Sequence, residues 1–374
     1  MNLFTYQIGP FGDNSPTLGQ KLDDSVNLFT PLRMILALGV LLGHSYVVHL
    51  GRTVPEPLHL FNLTLSYISV NGFFILSGLL ITRSIDRNSD LIRFFTARFL
   101  RLYPAMVVMT LLAAFVIGPM VSALPMAAYF ADPMVWRYVC DVLTFGNTSG
   151  GPPQIFAQNP FDGEWSASLW TLRYEAMAYA GTALLAVLGL NRSKTAMLAV
   201  FVAVTGFFVA VRLFPQILPD PLVHLSRFGM TYLLGALLYV YRDQIKLSWV
   251  IGAVTVILAA TFGWFGSQAS FEILLNFVLA AGLLLIGFAK LPFAAKLSRM
   301  PDFSYGVYIW QWPIMQALWY FEIARSPLVT MALAIPASIA VGALSWYLLE
   351  KPALALKTPL AGAIRNAFKA RKTA

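Results

Sequence analysis

Arg33 and His44 are ionisable residues inside LRMILALGVLLGH, a stretch otherwise apolar enough to sit in a bilayer. They are eleven positions apart in the chain. On a helix that is about 20° past three full turns, so both lie on one face, about 16 Å apart along the axis. A neutral imidazole in such a place takes up protons, and a guanidinium near a helix end meets anions. A second set follows in RSIDRNSDLIRFFTARFLRLYP, where Arg98 and Arg101 are i, i+3 on one helix face. Arginine forks bind phosphates bidentately, so this pair reads as a candidate phosphate cluster. A third set lies in DGEWSASLWTLRYEAMAYA. On a helix, Ser168, Thr171, Glu175 and Tyr179 form one polar stripe, which belongs on an interior face and not against lipid. Glu175 and Arg173 are two apart, so they point away from each other and need partners elsewhere. The plainer readings are that Arg33 snorkels to a headgroup, that His44 packs, and that arginines at a membrane edge only set topology.

The elements that must position these residues follow from composition. The chain has 374 residues, 58% of them hydrophobic and 11% charged. Soluble proteins carry about 25% charged residues. The fold class is therefore all-α, a polytopic integral membrane bundle. Ten spans are expected, at roughly 28–50, 61–82, 98–121, 165–189, 195–213, 225–241, 248–265, 271–288, 303–321 and 327–349. Residues 1–27 are polar and read as a cytoplasmic N-terminal segment with no cleavable signal peptide. Residues 28–352 form the membrane domain, and 353–374 a basic cytoplasmic tail lying on anionic lipid. The net charge of +9 points to anionic lipid and not to nucleic acid. One cysteine, Cys140, excludes an internal disulfide framework, and four histidines leave little for a metal site.

Orientation is set by the basic residues. With the N-terminus inside, twenty of the 26 Lys and Arg fall in cytoplasmic segments, five fall outside, and Arg173 lies within span four. Both termini are then cytoplasmic, in the inner membrane. Loop 122–164 is external. Its apolar middle, MVWRYVCDVLTF, is expected to lie in the interface or to re-enter, and the loop either covers an acceptor site or simply packs on the bundle top. Gly72 and Gly78 beside Ser77 suit close helix approach. Pro313 is expected to kink span nine, next to the polar Gln311. The residues alone fit either acyl transfer across the membrane or proton-coupled transport of a small polar solute. No internal repeat is visible, which weighs against the transporter.

Six pieces, taken in order, resemble the acyltransferase-3 family of integral membrane acyltransferases, many of which O-acetylate bacterial surface or exported glycans. They are LRMILALGVLLGH, NGFFILSGLLI, RFFTARFLRLYP, WSASLWTLRYEAMAY, SYGVYIWQWP and the terminal EKP, together covering about 28–352. The resemblance implies ten core helices, an acyl-CoA donor from the cytoplasm and an acceptor on the outer side. It makes His44 the catalytic histidine, and Arg33, Arg98 and Arg101 residues of function or donor binding. Two departures stand out: Gln311 replaces a histidine common in relatives, and Tyr174-Glu175 replaces a pair of acids. On this reading His44 acts as general base or as acyl-carrying nucleophile. Glu175, Tyr179 and Ser77 orient the acceptor or the imidazole. The expected partners are acyl-CoA, acetyl-CoA by default, as co-substrate, an extracytoplasmic glycan or lipid-linked oligosaccharide, and the bilayer. No metal and no permanently bound cofactor is expected.

Overall fold

A computed structural model describes residues 16–24, 26–52, 56–214 and 218–373. The expected N-terminal segment before residue 16 lies outside the described residues. All ten expected spans contain a helix. They are α1 (Phe29–Leu50), α2 (Leu65–Arg87), α3 (Leu91–Leu112), α4 (Leu172–Val187), α5 (Lys194–Leu213), α6 (Asp220–Val240), α7 (Trp249–Phe265), α8 (Gln268–Gly287), α9 (Ser304–Tyr320) and α10 (Pro327–Ser345). Small polar residues start many of them by accepting from free backbone N–H groups. Asp90 caps α3 through Arg93 N, Ser193 caps α5 through Ala196 N, and Ser267 caps α8 through Ser270 N.

Among the described residues, six helices are long and apolar enough to cross a membrane: α1, α2, α3 continued to Val121, α5, α8, and α10 continued to Ala355. The other four fall short of the expected ten crossings for two reasons. Helices α4, α7 and α9 have only 16, 17 and 17 residues, against the roughly 20 that a straight crossing takes. Helix α6 has 21 residues but carries Asp220, His224 and Arg227 in its first half.

Several starts also differ from expectation: span three begins at Leu91 and not at 98, span six at Asp220 and not at 225, and two more have a visible local cause. Span two begins at Leu65 and not at 61, because His59–Leu60 and Leu63–Thr64 pair as a two-residue hairpin. Phe61 and Asn62 both have positive φ, 45° and 66°, as a tight primed turn requires. Span four begins at Leu172 and not at 165. Ala167–Thr171 is a 3₁₀ turn entered from the extended Ser166, so Ser168 and Thr171 do not continue the α-helical wheel of Glu175 and Tyr179.

The chain divides into two compact units. The first comprises the residues through Leu36, Ile68–Ser89 and Met177–Pro301. Its core joins Leu32 and Leu36 of α1, Ile75 and Leu79 of α2, Leu234 of α6 and Leu283 of α8. Gly78 of α2 lies against the backbone of Tyr232, and Gly235 of α6 lies against that of Ile75. The glycine pair lets these helices touch backbone to backbone.

The second unit comprises Ala37–Tyr67, Asp90–Ala176 and Asp302–Ala374. Its core includes Leu41 and Val48 of α1, Trp312 and Met315 of α9, and Ala334 of α10. Loop 122–164 is ordered and packs on this unit. Helix Pro133–Leu143 buries Val135, Tyr138 and Val142 on one face and exposes Met134 and Trp136. Tyr103 of α3 donates to Leu143 O at 2.6 Å. Tyr129 donates at 2.8 Å to Ala114 O, in the π-turn Ala113–Ile117 that continues α3. The C-terminal helix Lys357–Thr373 is tied to the start of α3 by the pair Arg365–Asp90.

Candidate active site

Helix α1 is unbroken from Phe29 to Leu50, so the shared face of Arg33 and His44 stands. Gly51, at φ 75°, ends it in the left-handed region that glycine adopts without cost. His44 Nδ1 is buried with no hydrogen-bond partner among the described residues. Its ring meets Trp312 of α9 edge to face, with centroids 5.0 Å apart. Trp312 is 1% exposed and meets Phe161 in the same way at 4.9 Å. The Arg52 guanidinium lies 4.2 Å from the Phe161 ring centroid. An aromatic series thus runs from the solvent-exposed Arg52 down to the imidazole.

The segment carrying Phe161 is fastened at both ends. Asn159 donates to Gln316 Oε1 at 2.8 Å and to Gln316 O at 3.0 Å, and Gln316 donates back to Phe161 O. Arg52 donates to Glu164 at 2.9 Å and to Asp162 O at 2.7 Å. Burial pushes the Glu164 carboxyl above its ordinary range, and the Arg52 bond opposes the shift.

Glu56 sits on the other approach to α1. A Cβ at Gly43, the residue before His44, would collide with the Glu56 carboxyl group. Glu56 is 4% exposed. It accepts from Ser66 Oγ at 2.5 Å and from Ser66 N at 3.2 Å, at the start of α2. The hairpin at 59–64 is what brings Ser66 back over α1. Burial raises the Glu56 carboxyl, against the lowering effect of its bonds to Ser66.

Arg98 and Arg101 of α3 differ. Arg101 is held by two carboxylates: Nη1 to Glu350 Oε2 at 2.8 Å and Nη2 to Asp302 Oδ2 at 2.9 Å. Its Nη2 also donates to Asp302 O at 3.0 Å, and its charge faces the Tyr305 and Trp346 rings. Glu350 is fully buried in the π-turn Trp346–Glu350 and accepts from Ser345 as well. Such a guanidinium has little left for a phosphate. Arg98 is only partly buried, beside the Phe94 ring at 5.9 Å.

The polar stripe is found in part. Ser168, Thr171 and Tyr179 are buried and Glu175 is partly buried. Thr171 shares a hydrogen bond with Tyr308 at 2.8 Å, and Gln311 donates to Ser168 Oγ at 3.4 Å. Arg173 finds its partner in Gly146 O and not in a carboxylate. Ser77 and Tyr179 belong to the first unit, and Ser77, beside the packed Gly78, is partly buried there. Sequence reading missed Glu56, Phe161, Trp312 and Asn159. Trp312 and Glu350 did lie inside quoted motifs, but without an assigned part.

A helical membrane chain that places a partly buried histidine on an arginine-bearing helix fits the class of integral membrane acyltransferases. The chain belongs to the acyltransferase-3 family, whose model, described as an acyltransferase domain, matches residues 31–348. It is similar to an "O-acetyl transferase" of Shigella phage Sf6, 25% identical over 89% of this chain and 97% of that protein. It is also similar to "Nodulation protein 10" of Rhizobium leguminosarum bv. viciae, 29% identical over 89% of this chain and 95% of that one. No solved structure matches the chain.

Proposed function

We propose that this chain is a membrane O-acyltransferase that carries an acyl group, acetyl by default, from cytoplasmic acyl-CoA to a hydroxyl of an extracytoplasmic glycan or lipid-linked oligosaccharide. The observation that carries this reading is His44: a histidine inside an unbroken apolar helix, with Nδ1 buried and unpartnered among the described residues. The name of the phage relative supports the O-acetyl part.

In this reaction His44 accepts the proton of the acceptor hydroxyl while that oxygen attacks the thioester carbonyl. The C–O bond forms and the C–S bond breaks. The coenzyme A thiolate leaves and takes the proton from the imidazolium. General-base assistance of this kind contributes about 10²–10⁴-fold. Arg33 and Arg98 supply positive charge to the phosphates of the donor, and Arg101 holds the neighbouring helix ends around them. Glu175, Tyr179 and Ser77 orient the reactants. The Lys and Arg distribution supports an inner-membrane chain with both termini cytoplasmic. The donor then arrives at the Arg33 end of α1 and the acceptor at the His44 end.

His44→Ala tests the assignment. Mass spectrometry of surface and secreted glycans should lose the acyl group in cells making the variant at parental level. Near-normal acylation at equal protein level overturns it.

A further inference from the structure

Glu56 is a carboxylate without a job in the mechanism above. It is buried, lies against the backbone of Gly43, and bonds to neutral groups: the hydroxyl and amide of Ser66, the Thr64 side chain and the Leu65 backbone. No ion pair involves it among the described residues. Burying a carboxylate among neutral groups is costly. A loop that needed only to be fastened to α1 would be served as well by glutamine, which keeps the shape without the charge. What distinguishes the position is its neighbour, His44.

We propose that Glu56 is a positioning residue for the acyl transfer, acting through His44: its buried negative charge stabilises the imidazolium that forms when His44 takes the acceptor's proton. The proposal rests on the acyl-transfer reading. Its geometry is that of one helix turn. Consecutive residues are about 100° apart on a helix, so a group on Gly43 flanks the root of the imidazole without covering the ring. No solvent separates the carboxylate from the α1 backbone at that point, so its field is weakly screened. Ser66, Thr64 and Leu65 bond to Glu56, and Trp312 of α9 meets the His44 ring; all of these groups are uncharged. The proton balance is unchanged. It still passes from the acceptor oxygen to His44 and then to the departing thiolate. The ionised Glu56 carboxylate lowers the energy of that charged state.

The test uses the full-length chain in membrane vesicles from the producing cells, supplied with acetyl-CoA labelled in the acetyl group. The rate of label transfer to the glycan is read at saturating donor, together with the apparent KM for acetyl-CoA. Glu56→Gln should lower the saturating rate about tenfold, the order expected when one weakly screened charge near an imidazolium is removed. The KM should be unchanged, because Glu56 lies away from the donor phosphates. Glu56→Asp, which keeps the charge and spoils the fit, should retain more rate than Glu56→Gln. The thermal midpoint of purified Glu56→Gln should be no lower than the parent's. A Glu56→Gln variant as fast as the parent, or faster than Glu56→Asp, overturns the proposal and leaves Glu56 as a loop fastener. A parent that transfers no label at all, like His44→Ala, overturns the acyl-transfer reading itself.

Discussion

Arg98 and Arg101 stand one turn apart on α3 and meet different surroundings. Arg101 faces the fully buried Glu350 and is itself only 11% exposed at the side chain. Removing one partner of such a pair leaves the other charge buried and alone, which costs about 3–5 kcal/mol. Arg101→Ala should therefore lower the denaturation midpoint of the purified protein, and pairing it with Glu350→Met should restore part of the loss. Arg98→Ala should leave stability within about 0.5 kcal/mol and weaken coenzyme A binding, which titration of the purified protein would read directly. Equal coenzyme A affinity in parent and variant would remove Arg98 from the donor site. Glu56 gives a pH dependence of defined sign. Its carboxyl is raised above the ordinary 4.5 by burial. Folding then favours the protonated form, so its contribution to stability is full below the unfolded value and is lost as pH rises through the folded one. Glu56→Gln should flatten that part of the stability–pH curve, measured by thermal unfolding from acid to neutral pH.

At the scale of elements, the glycines sort into two kinds. Gly78 and Gly235 let α2 and α6 meet backbone to backbone, and a Cβ on either would strike the facing chain. Gly78→Ala or Gly235→Ala should push the helices apart at about 1–3 kcal/mol, the usual cost of overpacking. Gly181 of α4 and Gly282 of α8 have nothing within 4 Å of an added Cβ. Alanine there should be neutral or stabilise by about 0.5–1 kcal/mol, since glycine is a poor helix former. Denaturant titration of the four variants separates the two classes, and equal effects would contradict the packing argument. The π-turns have a comparable logic. Each frees backbone carbonyls, and Tyr129 uses its hydroxyl to satisfy Ala114 O.

For the whole molecule the property that decides which side meets the donor is orientation in the bilayer. In the proposed orientation loop 122–164 lies outside and the run 83–101 inside. Cys140 is the single cysteine of the chain and is exposed on helix Pro133–Leu143. A membrane-impermeant thiol reagent should label it in intact cells. In a Cys140→Ser background, Asn88→Cys should label only after permeabilisation. The reverse pattern would invert the chain and move the arginines of α3 away from a cytoplasmic donor.

The sequence by itself determined the membrane class, the ten helical segments, the shared face of Arg33 and His44, and the family. These follow from local quantities: hydropathy over a window, a period of about 3.6 residues, and short motifs in a fixed order. Helix α1 is the plainest case, since nothing in residues 29–50 interrupts it and its face is set by spacing alone. Only the tertiary structure decided what each polar group meets. Arg101 and Glu350 lie 249 residues apart, and no local pattern joins them. Loop residues Glu56 and Phe161 reach the surroundings of His44 through a primed turn at Phe61-Asn62 and a clamp on Gln316. The start of span four slipped from 165 to 172 because a 3₁₀ turn anchored by Ser166 to Ile309 O outweighs the apolar period there. Hydropathy reports how much surface a residue would rather bury. Which partner waits in the interior is a property of chain segments far apart in sequence, and it appears only when they pack.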